Sequence, residues 1–268
     1  MSLITIQRKN YRLLWQHPLI KSIVPWIVPL LLILIWQILG QIGWISTRVL
    51  PTPINVIKAA FRLAQSGELF KNIAISFQRA TSGFVIGGSI AFFLGLLNGT
   101  FRSAELLLDS SLQMLRNIPI LSLIPLVILW FGVGEESKFF LVSLSVFFPI
   151  YINTFYGIRN IDPGLLEMGK VYGLNTWELF RKIIIPGALT SILVGVRYSL
   201  GLMWITLIVV ETFATDSGIG YMAMNAREFL QTDVVVLAVV MYALLGKFTD
   251  SIVRLLEKTW LKWNPAYK

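Results

Sequence analysis

Six apolar segments, separated by polar connections, dominate the pattern of the chain. A chain inside lipid must satisfy its backbone hydrogen bonds internally, so apolar segments of this kind are expected to be helices. The pattern therefore predicts an all-α integral membrane protein with about six transmembrane helices, since about twenty apolar residues cross a bilayer. The predicted spans cover approximately residues 23–39, 77–97, 118–131, 139–156, 188–210 and 234–252.

The third apolar segment is short for a span, and Pro119 and Pro125 interrupt it. Proline lacks a backbone donor and bends or ends a helix. We therefore expect this segment to be kinked, shielded from lipid or extended by its neighbours.

Two connections carry patterns of their own. After Pro53, apolar residues recur at helical spacing, which predicts an amphipathic helix on the outer interface. Its apolar positions are Ile54, Ile57, Phe61 and Ala64. A turn-rich stretch begins at Asp216, and it fits either an ordinary outer loop or a re-entrant element. Its candidate residues are Gly218, Gly220 and Tyr221.

Composition supports a membrane protein. The chain has 268 residues, of which 56% are hydrophobic and 14% charged, with a mean hydropathy of +0.72. That is too little polar side chain to cover a soluble globule of this size. No cysteine is present, so disulfides and thiolate metal sites are excluded. No linker or repeat divides the chain, which predicts one integral membrane domain over residues 1–268, with an N-terminal part (1–75), a core (76–252) and a tail (253–268).

The net charge of +9 is spread between the apolar segments rather than gathered in one patch, which argues against nucleic-acid binding. Basic residues mark the cytoplasmic side of membrane proteins. With both termini cytoplasmic, most basic residues fall inside. The outer ones are then Arg48, Lys58, Arg62, Lys71, Lys138 and Arg227.

The longest inner connection, between the fourth and fifth spans, predicts two short helices joined by a glycine turn. Asp162 and Pro163 fit a helix start, and Gly173 fits a left-handed helix end. The second helix runs to Pro186. From spacing alone the segment is either a compact loop or a projecting docking element.

The same segment resembles the Glu-Ala-Ala loop of binding-protein-dependent ABC importer permeases. The matching positions are Glu167, Gly173, Ile183, Ile185 and Pro186, while Met168 and Gly169 replace the two alanines. Nearly the whole chain is similar to the permeases of aliphatic sulfonate importers, and taurine, nitrate and bicarbonate permeases remain alternatives. The similar stretches are STRVLP (46–51), QMLRNIP (113–119), IPLVILWFG (124–132), FPIYINT (148–154), AREFLQTD (226–233) and WNPAY (263–267).

The resemblance implies a type I ABC importer permease fold in the bacterial plasma (inner) membrane, working as a homodimer by alternating access. It implies two ATPase subunits, which carry the ATP and magnesium, and a periplasmic or surface-anchored binding protein. The re-entrant alternative for Gly218, Gly220 and Tyr221 would then cap the pathway or meet this binding protein. No phosphate-binding Gly-x-x-x-x-Gly-Lys-[Ser/Thr] run occurs in this chain, so it is not expected to be an enzyme or to hold a cofactor. The residues implied for ATPase coupling are Glu167, Met168, Gly169, Gly173, Phe180, Ile183 and Pro186.

Arg197 is the candidate substrate contact. It lies about nine residues into the fifth predicted span, or ~13 Å along the helix axis, which is near mid-bilayer. An arginine there either lowers the desolvation cost of an anion such as a sulfonate or makes a structural bond between helices. Arg79 and Lys247 lie nearer span ends, where long side chains can reach the headgroups. Further pathway candidates are Tyr198, Trp204, Asn153 and Thr154.

Two other classes of protein share some of these features. A secondary transporter or channel has similar spans, but the inner Glu167–Pro186 segment and the absence of a clear inverted repeat favour the permease. An intramembrane enzyme is disfavoured because the chain has no His-Glu-x-x-His run and no cysteine nucleophile.

Overall fold

A computed structural model describes residues 18–213 and 215–264, and all of the regular structure within these residues is helical. The basic residues Arg8, Lys9 and Arg12, used above to orient the chain, lie outside the described residues. The helices are α1 (Pro18–Ile42), α2 (Pro53–Gln65), α3 (Glu68–Thr100), α4 (Arg102–Arg116), a 3₁₀ turn (Ile120–Leu123), α5 (Ile124–Phe131), α6 (Glu135–Arg159), α7 (Pro163–Val171), α8 (Thr176–Phe213), α9 (Ile219–Glu228) and α10 (Thr232–Trp260).

Among the described residues, four helices are long and apolar enough to cross a membrane, namely α3, α6, α8 and α10. A fifth span is formed if α4 and the helical segment from Ile120 to Phe131 are counted together. The predicted first span lies in α1, whose apolar part, Trp26–Ile42, is shorter than the other spans. All six predicted segments are thus helical, and four or five of them meet the length and composition of a span.

The expected kink lies at the start of the third segment, where α4 and the stretch Ile120–Phe131 meet at an angle of 83°. The bend lies between Arg116, the last residue of α4, and Ile120, and its connecting residues include the cap residues Asn117 and Pro119. Polar contacts hold α4 against α6: Arg159 donates to Glu105, and the Tyr151 hydroxyl lies 3.3 Å from Asp109. Proline geometry and these contacts together explain why α4 does not continue straight into α5.

The core lies between α3, α6 and α8. Small residues let these helices approach closely, as is common in membrane helix packing. Gly95 of α3 is buried, and a Cβ atom added there would lie 2.8 Å from both the Tyr151 carbonyl oxygen and the Thr154 Cβ atom of α6. The close contact between α3 and α6 therefore requires glycine at position 95, because its side chain is only a hydrogen atom.

We expect Gly95→Ala to destabilise the protein by about 1–3 kcal/mol, the usual cost of overpacking a core. Gly201→Ala is the matched control, because a Cβ atom at Gly201 of α8 meets nothing within 4 Å. Thermal unfolding in detergent should show a lower midpoint for Gly95→Ala alone. Equal midpoints for the two variants would show that the α3–α6 contact tolerates a side chain.

The helix predicted after Pro53 is present as α2, but its contacts with the protein differ from the predicted face. Val56 and Ala59 pack into the core cluster, whereas Ile54, Ile57 and Phe61 stay exposed. The helix therefore has two apolar faces, one turned to the protein and one to its surroundings. The exposed face remains compatible with the predicted interfacial position.

Candidate functional site

The segment between α6 and α8 has the local structure that the sequence predicts. Asp162 caps α7, because its Oδ1 atom accepts a hydrogen bond of 2.8 Å from the Gly164 amide. Gly173 ends the turn with a φ of 79°, in the left-handed region that favours glycine. The Leu174 amide donates to the Gly169 carbonyl over 3.0 Å, as in a Schellman helix end.

Helix α7 rests on the first turns of α8. Gly169 is buried, and a Cβ atom added there would lie 2.5 Å from Leu179 and 2.6 Å from Ile183. Asn175 and Glu178 form a capping box at the start of α8. A π-helical turn, Phe180–Ile184, follows within the same continuous helix. Gly169, in the place of a family alanine, thus allows closer contact between the two helices.

The outer surface of this pair of helices carries several exposed apolar side chains. Exposed apolar groups that lie close together mark sites of protein contact. Glu167 is exposed beside them, and its side chain makes no hydrogen bond or ion pair within the described residues. The exposed apolar residues are Leu165, Met168, Val171, Tyr172 and Trp177. We call α7 together with these residues the coupling surface.

The coupling residues predicted from the sequence divide into two groups. Glu167 and Met168 lie on the exposed coupling surface. Phe180 is partly buried and stacks on Trp177, with ring centroids 5.8 Å apart. Ile183 and Pro186 are also partly buried. Ile183 packs against Gly169 of α7, so the second group is less accessible than the first, and its part in ATPase coupling stays a prediction.

Arg197 is paired with acidic residues of α10. Its Nε atom donates to Asp250 over 2.8 Å, and its Nη1 atom lies 3.7 Å from Glu257. Its side chain is still 39% exposed. Arg197, Tyr198 and Asp250 line one open cavity of about 530 Å³. The arrangement holds a partly neutralised cation beside a space large enough for a small anion.

The other pathway candidates lie between packed helices. Trp204 donates through its indole nitrogen to Thr249 of α10 over 3.2 Å. Asn153 donates to the Pro149 carbonyl one turn earlier in α6. Thr154 is fully buried in the contact between α6 and α3. Their part in a substrate pathway stays a prediction.

The segment after Asp216 forms a short helix, α9, whose N-terminus is buried. Gly218 has a φ of 108°, and Ile219 and Gly220 are buried, while Tyr221 is partly exposed. Of the two alternatives above, these observations favour an element packed into the protein over an ordinary exposed loop.

Near α9, Arg79 does not lie where the sequence predicted, and it contacts Glu211, for which the sequence predicted no role. The expectation that Arg79 reaches the headgroups is wrong: its side chain is 2% exposed and pairs with the buried Glu211 at 2.9 Å. Lys247, by contrast, is 63% exposed and lies 3.8 Å from Asp250, so its reach to the headgroups stays a prediction. The sequence contained one sign of the pairing of Arg79 with Glu211, namely the acidic Glu211 near the end of an apolar span. A charged side chain in lipid is energetically unfavourable and needs a partner.

Comparison with known proteins gives a consistent result. The profile of the family described as "Binding-protein-dependent transport system inner membrane component" matches residues 83–262. Two relatives are named as aliphatic sulfonates transport permease proteins. The one from Escherichia coli (strain K12) is 59% identical over 91% of this chain and 93% of its own length. The one from Bacillus subtilis (strain 168) is 46% identical over 90% and 88%.

A more distant relative and a solved structure complete the comparison. The taurine transport system permease protein of Escherichia coli (strain K12) is 28% identical over 98% of both chains. The crystal structure of an amino acid ABC transporter with histidines superposes with a TM-score of 0.57 and 17% identity, over 75% of this chain and 97% of that one. The solved structure shares the fold.

Proposed function

This chain belongs to the family of binding-protein-dependent transport system inner membrane components, and on that premise we propose that it carries aliphatic sulfonates into the cell. It is the permease subunit of an ABC importer, a transport component rather than an enzyme. The substrate proposal rests on one observation: the relatives named for aliphatic sulfonates share far more of the sequence than the relative named for taurine.

We further propose the assembly in which the permease works. Two copies would form the pathway, two ATPase subunits would hold the ATP and magnesium, and a binding protein would deliver the substrate. The coupling surface supports this assembly, because its exposed apolar side chains and the free carboxylate of Glu167 suit a groove on a partner protein. Both termini would then lie in the cytoplasm, with the chain crossing the plasma membrane several times.

Helix α8 can transmit a movement of the ATPase to the membrane-spanning part of the permease. It runs without a break from Thr176 to Phe213, which is 38 residues. At 1.5 Å per residue it is about 57 Å long. Because α7 rests on its first turns, a movement of α7 is passed along α8 through the bilayer. Such rigid movements are the basis of alternating access.

We propose that Arg197 contacts the anion during passage. A sulfonate is a permanent anion, and a guanidinium near mid-bilayer lowers the cost of its desolvation. Asp250, 2.8 Å from Arg197, limits how tightly the anion is held. Weak binding is required for release on the far side.

Uptake by the complete transporter tests the proposal. Vesicles carrying this permease, its ATPase and its binding protein would be supplied with labelled alkanesulfonate, taurine, nitrate or bicarbonate. We expect uptake that needs hydrolysable ATP and is fastest for the alkanesulfonate, with a non-hydrolysable ATP analogue as the control. ATP-driven uptake of a different anion would overturn the proposed substrate. Uptake that does not depend on ATP would overturn the proposed importer function.

A further inference from the structure

A buried ionic cluster lies at the end of the helix bundle opposite the coupling surface. Arg79 of α3 and Glu211 of α8 pair at 2.9 Å, and neither side chain is more than 2% exposed. Arg79 also makes two bonds of 2.6 Å and 2.7 Å to Glu135 at the start of α6. This two-pronged geometry is the strong form of an arginine–carboxylate pair. The cluster thus joins the ends of three spans.

The bonds to the Glu211 side chain come from three other helices, α3, α9 and α10. Its carboxylate accepts from the Ser76 hydroxyl at 2.8 Å and from the Tyr242 hydroxyl of α10 at 2.9 Å. It also accepts from the Gly220 amide of α9 at 2.9 Å. With Arg79 added, the buried charge is fully paired, as a buried carboxylate requires.

The N-terminus of α9 is held by this cluster. The first amides of a helix have no partner within the helix. Here, three successive amides are taken by side chains of other helices: Gly218 donates to Asn72, Ile219 to Ser76 and Gly220 to Glu211, at 2.8–2.9 Å. Arg79 also donates to the Ser217 carbonyl at 2.6 Å. Helix α9 therefore begins on the polar side chains of α3 and α8.

A close approach of backbone to the cluster explains the glycine at the turn. A Cβ atom on Gly218 would lie 2.5 Å from the Glu211 Oε1 atom and 2.7 Å from the Arg79 Nη1 atom. Only glycine fits between the two charged groups at this φ. The sequence at this turn is thus matched to the ion pair beneath it.

We propose that Arg79 and Glu211 are positioning residues that fix α9 to α3 and α8, so that α9 moves with α8 when the coupling surface moves. The inference rests on the proposed alternating access. Coupling surface and cluster lie at opposite ends of the same continuous helix, α8. In the predicted orientation α9 is on the outer side, where it would open and close the pathway in step with the ATPase. No contact with the substrate is assigned to either residue.

Glu211→Gln in the complete transporter tests this proposal. The amide keeps the size of the side chain but removes the charge and turns one acceptor into a donor. We expect the number of anions taken up per ATP hydrolysed to fall about fivefold or more, a typical size for coupling between sites. We also expect ATP hydrolysis to lose its dependence on the binding protein. Glu136→Gln is the matched control, since Glu136 is exposed and lies next to the cluster residue Glu135.

A purely structural role gives a different result. It would lower the amount of inserted protein, and uptake and hydrolysis would fall together, with their ratio unchanged. That outcome would overturn the proposal. If Glu211→Gln does not accumulate, Ser76→Ala decides in the same way, because it removes the bonds to Ile219 and Glu211 and leaves the ion pair in place.

Hydrogen exchange gives a readout that does not depend on transport. Amides at residues 219–222 should exchange faster in Glu211→Gln than in Glu136→Gln, because the N-terminus of α9 is no longer fixed by Glu211. Unchanged exchange would overturn the positioning of α9. Failure of the unaltered transporter to use ATP would instead overturn the proposed function, so the two failures are told apart.

Discussion

Replacement of Gly173 by proline is expected to abolish ATP-driven uptake while the protein still inserts into the membrane. Gly173 has a φ of 79°, and proline is fixed near −65°. Proline also lacks the amide that donates to the Lys170 carbonyl over 2.9 Å. The end of α7 must therefore rearrange and the coupling surface must change shape. The spans do not include this turn, so insertion should survive.

Three measurements check this expectation: the amount of permease in membranes, co-purification of the ATPase, and uptake. We expect the first to be close to that of the unaltered protein and the other two to be lost. A conservative comparison is Gly173→Asn, because asparagine tolerates the left-handed conformation better than most residues. Gly173→Asn should retain part of the uptake. Normal uptake with Gly173→Pro would remove this turn from the mechanism.

Glu167→Ala examines the same surface without altering the fold. Glu167 is exposed and its side chain makes no ion pair or hydrogen bond within the described residues, so its loss costs the permease little stability. A hydrogen bond to a charged group contributes about 1.5–3 kcal/mol, and ATPase docking should weaken by about tenfold or more. Lys170→Ala, on the same helix and also exposed, is the control. Equal docking by both variants would contradict a specific role for the carboxylate.

Much of the fold could be predicted because lipid imposes a simple rule on sequence. All six apolar segments are helical, since only helices and closed β-barrels satisfy the backbone inside a bilayer, and continuous apolar segments longer than a spanning strand favour the helix. The break before Pro119 and the glycine turn at Gly173 could be predicted for a similar reason, because proline and glycine restrict the backbone locally. Backbone features that one or two residues determine can be predicted without knowing which residues pack against them.

Features set by distant residues could not be predicted in this way. Arg79 and Glu211 are separated by 132 positions in the sequence, and their pairing depends on how far α3 and α8 are rotated about their axes. A lone arginine near a span end suits the headgroups just as well. The protein-facing side of α2 was missed for the same reason. Val56 and Ala59 are unremarkable in sequence until α10 and α3 are placed beside them.

Arg197→Ala is expected to lower uptake by about tenfold, the effect of losing about 1.4 kcal/mol, while ATPase docking stays normal. The structure makes a structural role the main alternative, because Arg197 joins α8 to Asp250 and Glu257 of α10. Asp250→Asn separates the two roles. In a structural role the arginine needs its partner, and both variants should lower the thermal midpoint and the amount of inserted protein.

In a pathway role the two variants should act in opposite directions on the anion. Removal of the cation weakens the interaction with the sulfonate, whereas removal of Asp250 leaves Arg197 less neutralised and strengthens it. We expect Asp250→Asn to lower the anion concentration needed for half-maximal uptake and to slow the maximal rate, because release becomes harder. Lys258→Ala is the control, because Lys258 is exposed on α10 and its side chain makes no ion pair within the described residues. Parallel losses of stability in Arg197→Ala and Asp250→Asn, without this split between concentration and rate, would assign the pair to the fold alone.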